Sequence, residues 1–137
     1  GRETAATTKG FVMEFIHAPK ACASVGPYSH CVKAGSTYYL CGQVPFHPVT
    51  GEVVGNGMKE QAVQTLANMK AVLEAAGLAV TDIAKTTVFV TNMDDFAAFN
   101  EVYAAFMGEH RPARVCVEVS NIAHGCLLEM DAICFKE

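Results

Sequence analysis

Apolar and polar residues alternate at both ends of this 137-residue chain and recur with a helical period between them. The alternation predicts strands over 11–17, 30–33 and 37–44, with Ala34-Gly35-Ser36 as the hairpin turn between the last two. Pro45, Pro48 and Gly51 then mark a loop. Ala62, Leu66, Met69, Leu73 and Ala76, spaced by four and three, form one face of a helix that Gly77 is placed to end. A fourth strand is expected over 83–91. Phe96, Phe99, Tyr103 and Phe106 form the stripe of a second helix, with Asp94 and Asp95 at its positive end and Gly108 at its finish. Strands over 114–120 and 126–135 complete the order β-β-β-α-β-α-β-β. Without repeats or linkers, that order predicts a single α+β domain over 11–137, a mixed, mostly antiparallel sheet with two helices on one face. Residues 1–10, small and polar, are expected to form a flexible N-terminal extension.

Strand alternation also sorts the sheet faces. Val115, Val117 and Val119 oppose Arg114, Cys116 and Glu118, while Leu128, Met130, Ala132 and Cys134 oppose Glu129 and Asp131. One face is therefore expected to be apolar beneath the helices, and the other mixed, with Tyr39, Cys41, Phe89 and Cys116. Such a face is either a solvated surface or an oligomer interface holding a polar pocket. Its thiols and aromatics favour the interface.

Composition narrows the function classes. At 51% hydrophobic residues and a net charge of −4, the chain is not of the disordered type. No apolar run approaches the ~18 residues of a membrane helix, and residues 1–10 lack a signal-peptide core. Only 18% of residues are charged, against about a quarter in ordinary domains, so part of the exterior is expected to be buried against copies of itself. Acids outnumber bases by 14 to 10 without a basic stripe, which disfavours nucleic acid. The six cysteines include no CxxC pair and read as reduced thiols. They point to a cytoplasmic compartment, or the mitochondrial matrix if a transit peptide has been removed. The five histidines show no metal-ligand spacing, so no metal site is expected.

Single residues are weak signals here. Arg114 opens its strand after Pro112-Ala113, and its planar fork matches a carboxylate. Alone, a strand-end Arg is more often a surface ion-pair partner. Glu129 alone is more often a solvated carboxylate. Cys116 has no partnering His and reads as inert packing.

Combined, they form a pattern. Pro112-Ala113-Arg114-Val115-Cys116-Val117-Glu118-Val119, followed by Leu128-Glu129-Met130, resembles the C-terminal signature of the reactive-intermediate deaminase (Rid, formerly YjgF) family, in its RidA-like form. The likeness runs from about residue 18 to 135. It includes Gly26-Pro27-Tyr28-Ser29, Gly42-Gln43-Val44-Pro45, Thr50-Gly51-Glu52, Asn68-Met69-Lys70-Ala71, Lys85-Thr86-Thr87-Val88-Phe89 and Phe99-Asn100. The resemblance implies a chorismate-mutase-like subunit in a homotrimer with clefts between subunits. It implies hydrolysis of 2-enamino and 2-imino acids, such as 2-aminoacrylate or 2-iminobutyrate, to 2-keto acids and ammonia, without a cofactor. In that picture Arg114 grips the substrate carboxylate, the main chain at Cys116 holds the imine nitrogen, and Glu129 positions or activates water. Tyr28 and Asn100 occupy pocket positions, with Cys41 and Gly42 in the pocket-lining strand.

Two positions depart from the family pattern: Cys41 stands where active deaminases often carry Ser, and Val115 follows Arg114 where Ser is frequent. A thiol donates a weaker hydrogen bond, so Cys41 is expected to alter substrate range or rate. An exposed thiol of low pKa there would also make the cleft sensitive to oxidation. The competing readings are an endoribonuclease or translation inhibitor, and a non-catalytic trimer that binds small carboxylates or acts as a holdase.

Overall fold

The computed structural model describes residues 2–6, as backbone, and 12–137. Seven strands form one sheet: β1 (Arg2–Ala6), β2 (Val12–Ile16), β3 (Cys31–Ala34), β4 (Thr37–Gln43), β5 (Ile83–Val90), β6 (Ala113–Glu118) and β7 (Leu128–Phe135). Helix α1 (Met58–Ala75) links β4 to β5, and α2 (Phe96–Met107) links β5 to β6. The sheet order is β1-β2-β3-β4-β7-β5-β6. The β5/β6 pair is parallel and every other pair antiparallel. β1 is a difference from expectation. Instead of a flexible extension, residues 2–6 pair antiparallel with the edge of β2. That edge offers unpaired backbone groups, which alternation within 1–10 does not reveal. The rest of that expected extension lies outside the described residues.

The helical stripes fold as their spacing dictates. Ala62, Leu66, Met69, Leu73 and Ala76 of the α1 stripe are all buried. Gly77 then takes φ +75°, and Leu78 N–H closes back on Leu73 O at 2.8 Å, a glycine-dependent helix stop. In α2 the fully buried line is Phe99, Tyr103 and Met107, with Phe96 and Phe106 only half-buried. Ahead of it, the Asn92 side chain accepts the N–H of Asp94. Both helices contribute to one core with the sheet row Leu40, Val88, Val90, Leu128, Met130 and Ala132.

The other sheet face carries no helix, only a small cluster of Phe46, Ile122 and Cys126 against Phe89 and Val119, and it differs from expectation. The valine row belongs to it: Val115 and Val117 are 45% and 41% exposed. Parallel pairing places Cys116 beside Val88 and Arg114 beside Thr86, both of which are fully buried under the helices. Arg114 and Cys116 therefore lie on the helix side. Cys116 does not share the mixed face with Tyr39, Cys41 and Phe89.

Candidate active site

Arg114 is held by α2. Its Nη1 donates to Asn100 Oδ1 at 2.7 Å. Its guanidinium carbon lies 5.2 Å from the Phe96 ring centre and 4.8 Å from that of Tyr103. Phe96, Asn100 and Tyr103 fall at i, i+4 and i+7, so a single helix face presents all three. Each ring contact contributes about 0.5–2 kcal/mol, more where water is excluded. Among the described residues no carboxylate pairs with Arg114. Arg114 borders a cavity of about 470 Å³ lined also by Asn100, Tyr103, Arg111 and Pro112. A cation fixed by neutral groups, with its fork unspent, is an anion receptor.

Cys116 lies two residues along the same side and packs against the core. Burial pushes its thiol up, opposed by the charge of Arg114, so it remains a protonated thiol, as an inert packing role requires. Its strand, β6, ends the sheet. Val119 N–H bonds inward to Val90 O, so alternation turns the main-chain N–H of Cys116 outward from that edge.

Glu129 lies on the opposite face. Its register partner on β5 is Phe89, whose neighbour on β6 is Val117. It borders a cavity of about 300 Å³ with Tyr28, Cys41, Gly42, Gln43, His30 and the apolar Phe46. A register shift between Leu40 and Gln43 opens β4 opposite it. Gly42 sits in that irregularity against the Glu129 side chain: a Cβ there would lie 3.0 Å from Cδ and within contact distance of Oε2. Among the described residues no donor reaches the carboxylate. Burial pushes its pKa above the ordinary range, with the Asp131 charge adding to the rise.

That shift has a stability consequence. A raised carboxyl pKa means that the native state favours the neutral form, so the charged form is penalised above it. Glu129→Gln should therefore raise Tm at pH 7–8. The gain should vanish below about pH 4, where unfolded Glu is also protonated. Thermal melts at both pH values test this; an equal gain at both would assign the effect to packing.

The structure thus gathers Tyr28, Cys41, Gly42 and Glu129 around one cavity and Arg114 and Asn100 around another, with Cys116 close to the latter. The two groups lie on opposite faces of the sheet. Tyr28, 48% exposed, stands at the mouth of the first cavity. The Cys41 thiol accepts from Gln43 Nε2 at 3.1 Å, and burial pushes its pKa up to about 11. The low pKa that oxidation sensitivity required is absent.

Sequence reasoning missed His30, which is buried and staples the loop carrying Tyr28. Its Nδ1 accepts from Ala18 N–H at 2.8 Å and its Nε2 pairs with Cys22 O at 2.7 Å. No spacing marks it. Phe96 and Tyr103 were legible only as core; the one polar residue in their stripe, Asn100, was the available signal. Asn68 likewise holds the cavity loop, donating 2.9 Å hydrogen bonds to Val44 O and Phe46 O.

The sequence profile of the family described as Endoribonuclease L-PSP matches residues 17–136. A RutC family protein of Pyrococcus horikoshii is 48% identical over 124 residues, covering 90% of this chain and 98% of that protein. The 2-iminobutanoate/2-iminopropanoate deaminase of Escherichia coli K12 is 45% identical over 124 residues, covering 88% and 96%. The crystal structure of E. coli TdcF with bound serine superimposes with a TM-score of 0.85 at 41% identity, covering 90% of this chain and 98% of that one. Matches of this length, on the α+β fold just described, make the chain a member of the Rid family, known also as YjgF or endoribonuclease L-PSP.

Proposed function

We propose that this protein hydrolyses short-lived 2-imino and 2-enamino acids, such as 2-iminobutyrate or 2-aminoacrylate, to 2-keto acids and ammonia. We further propose that it works as a homotrimer whose sites lie between subunits. One observation carries the reading: Arg114 and Glu129, the anion receptor and a carboxylate without a partner among the described residues, sit on opposite faces of one sheet. A single chain cannot bring both to one small molecule, but Arg114 of one copy and Glu129 of the next can meet. The uncovered face with Tyr39, Val115, Val117 and Phe135, each 41–53% exposed, supplies apolar surface for such an assembly.

The chemistry suits these groups. Arg114 takes the substrate carboxylate in two-point geometry, and the outward N–H of Cys116 accompanies it. The imine carbon is already electrophilic, so the residues need to orient it, place water and manage protons. Glu129, partly desolvated, takes a proton from water as the water oxygen bonds to C2. That proton passes to the nitrogen as the C=N π pair moves onto it, giving the carbinolamine; Glu129 then carries the hydroxyl proton to the nitrogen as the C–N bond breaks and the C=O bond forms, and ammonia leaves with a 2-keto acid. An enamine first gains a proton at C3 to become the imine. Keto-acid release from threonine or serine, with a pyridoxal-phosphate dehydratase generating the imine in situ, should accelerate when the protein is added. No acceleration would overturn the reading. Retained binding of 2-oxobutyrate would then indicate a carboxylate-binding trimer, and RNA cleavage surviving Arg114→Ala a nuclease surface elsewhere.

A further inference from the structure

The helix-facing row of β5 reads Ile83, Thr86, Val88 and Val90, and all four are buried at 0–2% exposure. Thr86 is the polar exception. Its Oγ1 pairs at 2.8 Å with the hydroxyl of Tyr103, itself buried at 8%. Two hydroxyls desolvated in an apolar layer gain little net stability over a Val–Phe pair of the same shape. The pair nevertheless fixes one thing. A Tyr ring tethered at its hydroxyl cannot tilt freely, and the Arg114 guanidinium lies 4.8 Å from that ring's centre. Thr86 is also the register neighbour of Arg114 on the parallel strand, so one short stretch of β5/β6 sets both the cation and the tether.

We infer that Thr86 and Tyr103 are positioning residues for substrate capture: the buried hydroxyl pair orients the Tyr103 ring, and the ring, together with Phe96, aims Arg114. Neither residue needs to touch substrate. The inference rests on the carboxylate-gripping role proposed for Arg114 and adds the device that pre-sets it. Preorganisation of a fork lowers the cost of binding rather than the barrier to chemistry. Its loss should therefore appear in KM and in carboxylate affinity.

Thr86→Val and Tyr103→Phe each delete one hydroxyl and keep the packing volume. Each should raise KM for the imine, and Kd for 2-oxobutyrate, about fivefold, with kcat within about twofold. Thr86→Ser should restore the wild-type values. The double variant should be no worse than either single one, since both break the same bond. The Arg114 Nε–H signal in 15N-edited spectra should be sharp in the wild type and broadened in both variants. Variants that lose Tm but keep KM, Kd and the Arg114 signal would overturn the inference and leave the pair merely structural. A protein that binds 2-oxobutyrate in a Thr86-dependent way yet releases no keto acid would instead overturn the deaminase reading alone. If neither turnover nor binding occurs, the Arg114 signal still decides: unchanged in Thr86→Val, it refutes the tether.

Discussion

Arg114→Ala is expected to lower kcat/KM for 2-iminobutyrate by about a hundredfold to a thousandfold, the worth of two charge-assisted hydrogen bonds shielded from water. Most of the loss should be in KM, because the carboxylate is unchanged through the reaction and is gripped alike in the ground and transition states. The fold should survive. Arg114 pairs with no carboxylate among the described residues, and its links are to Asn100, Phe96 and Tyr103. Tm should therefore fall by several degrees without loss of the fold, as for the removal of about 1–4 kcal/mol of ring contacts. Lysine should not rescue, since a point charge replaces the planar fork. Turnover that persists in Arg114→Ala with unchanged KM would remove Arg114 from the site.

The same variant tests the proposed sharing of the site between copies. With Arg114 on the helix side and Glu129 on the open face, each site would draw them from different copies. At substrate levels near the wild-type KM, where each variant alone turns over little, Arg114→Ala mixed with Glu129→Gln should regain about one quarter of wild-type activity after subunit exchange, the share of sites that pair two intact residues in a randomly mixed trimer. Recovery of nothing would place both residues in one chain's own site or in none.

Periodicity made the frame legible. The α1 stripe from Ala62 to Ala76 and the stop at Gly77 stand in the structure as their spacing predicts, because a 3.6-residue repeat has one buried side. A strand's alternation defines two faces but not which one the helices cover. Val115, Val117 and Val119 look like core, yet Val115 and Val117 are exposed on the side away from the helices, Val119 packs against the small cluster of Phe46, Ile122 and Cys126, and Arg114 and Cys116 lie beneath α2. Only the parallel register with β5 decides this, and register is a long-range fact absent from a 6-residue stretch. Arg114, Glu129 and their pocket companions were found through resemblance; their separation onto opposite faces was not. His30, Phe96 and Tyr103 escaped for another reason. A buried ring that positions a neighbour has the same local pattern as one that only fills space.

Gly42→Ala should have the second-largest effect, with the opposite kinetic signature. The added Cβ would meet Oε2 and Cδ of Glu129, the far end of a flexible side chain, so the carboxylate swings away while the backbone stays. No left-handed φ is needed at Gly42, so alanine strains nothing and Tm should be unchanged or slightly higher. A displacement of about 1 Å in a group that places water costs on the order of a hundredfold in rate. The loss should therefore fall on kcat, with KM nearly constant because Arg114 is untouched. The acid limb of the pH–rate profile supplies the second signature. In the wild type, activity should fall as pH drops through the raised pKa of Glu129, above the ordinary carboxylate value, because burial disfavours the charged base. In Gly42→Ala the carboxylate is pushed from its partly buried site toward water, and that limb should move to lower pH. A kcat loss without the shift would mean that the methyl group blocks substrate instead of displacing Glu129, and unchanged kcat would show that this carboxylate does not handle the water.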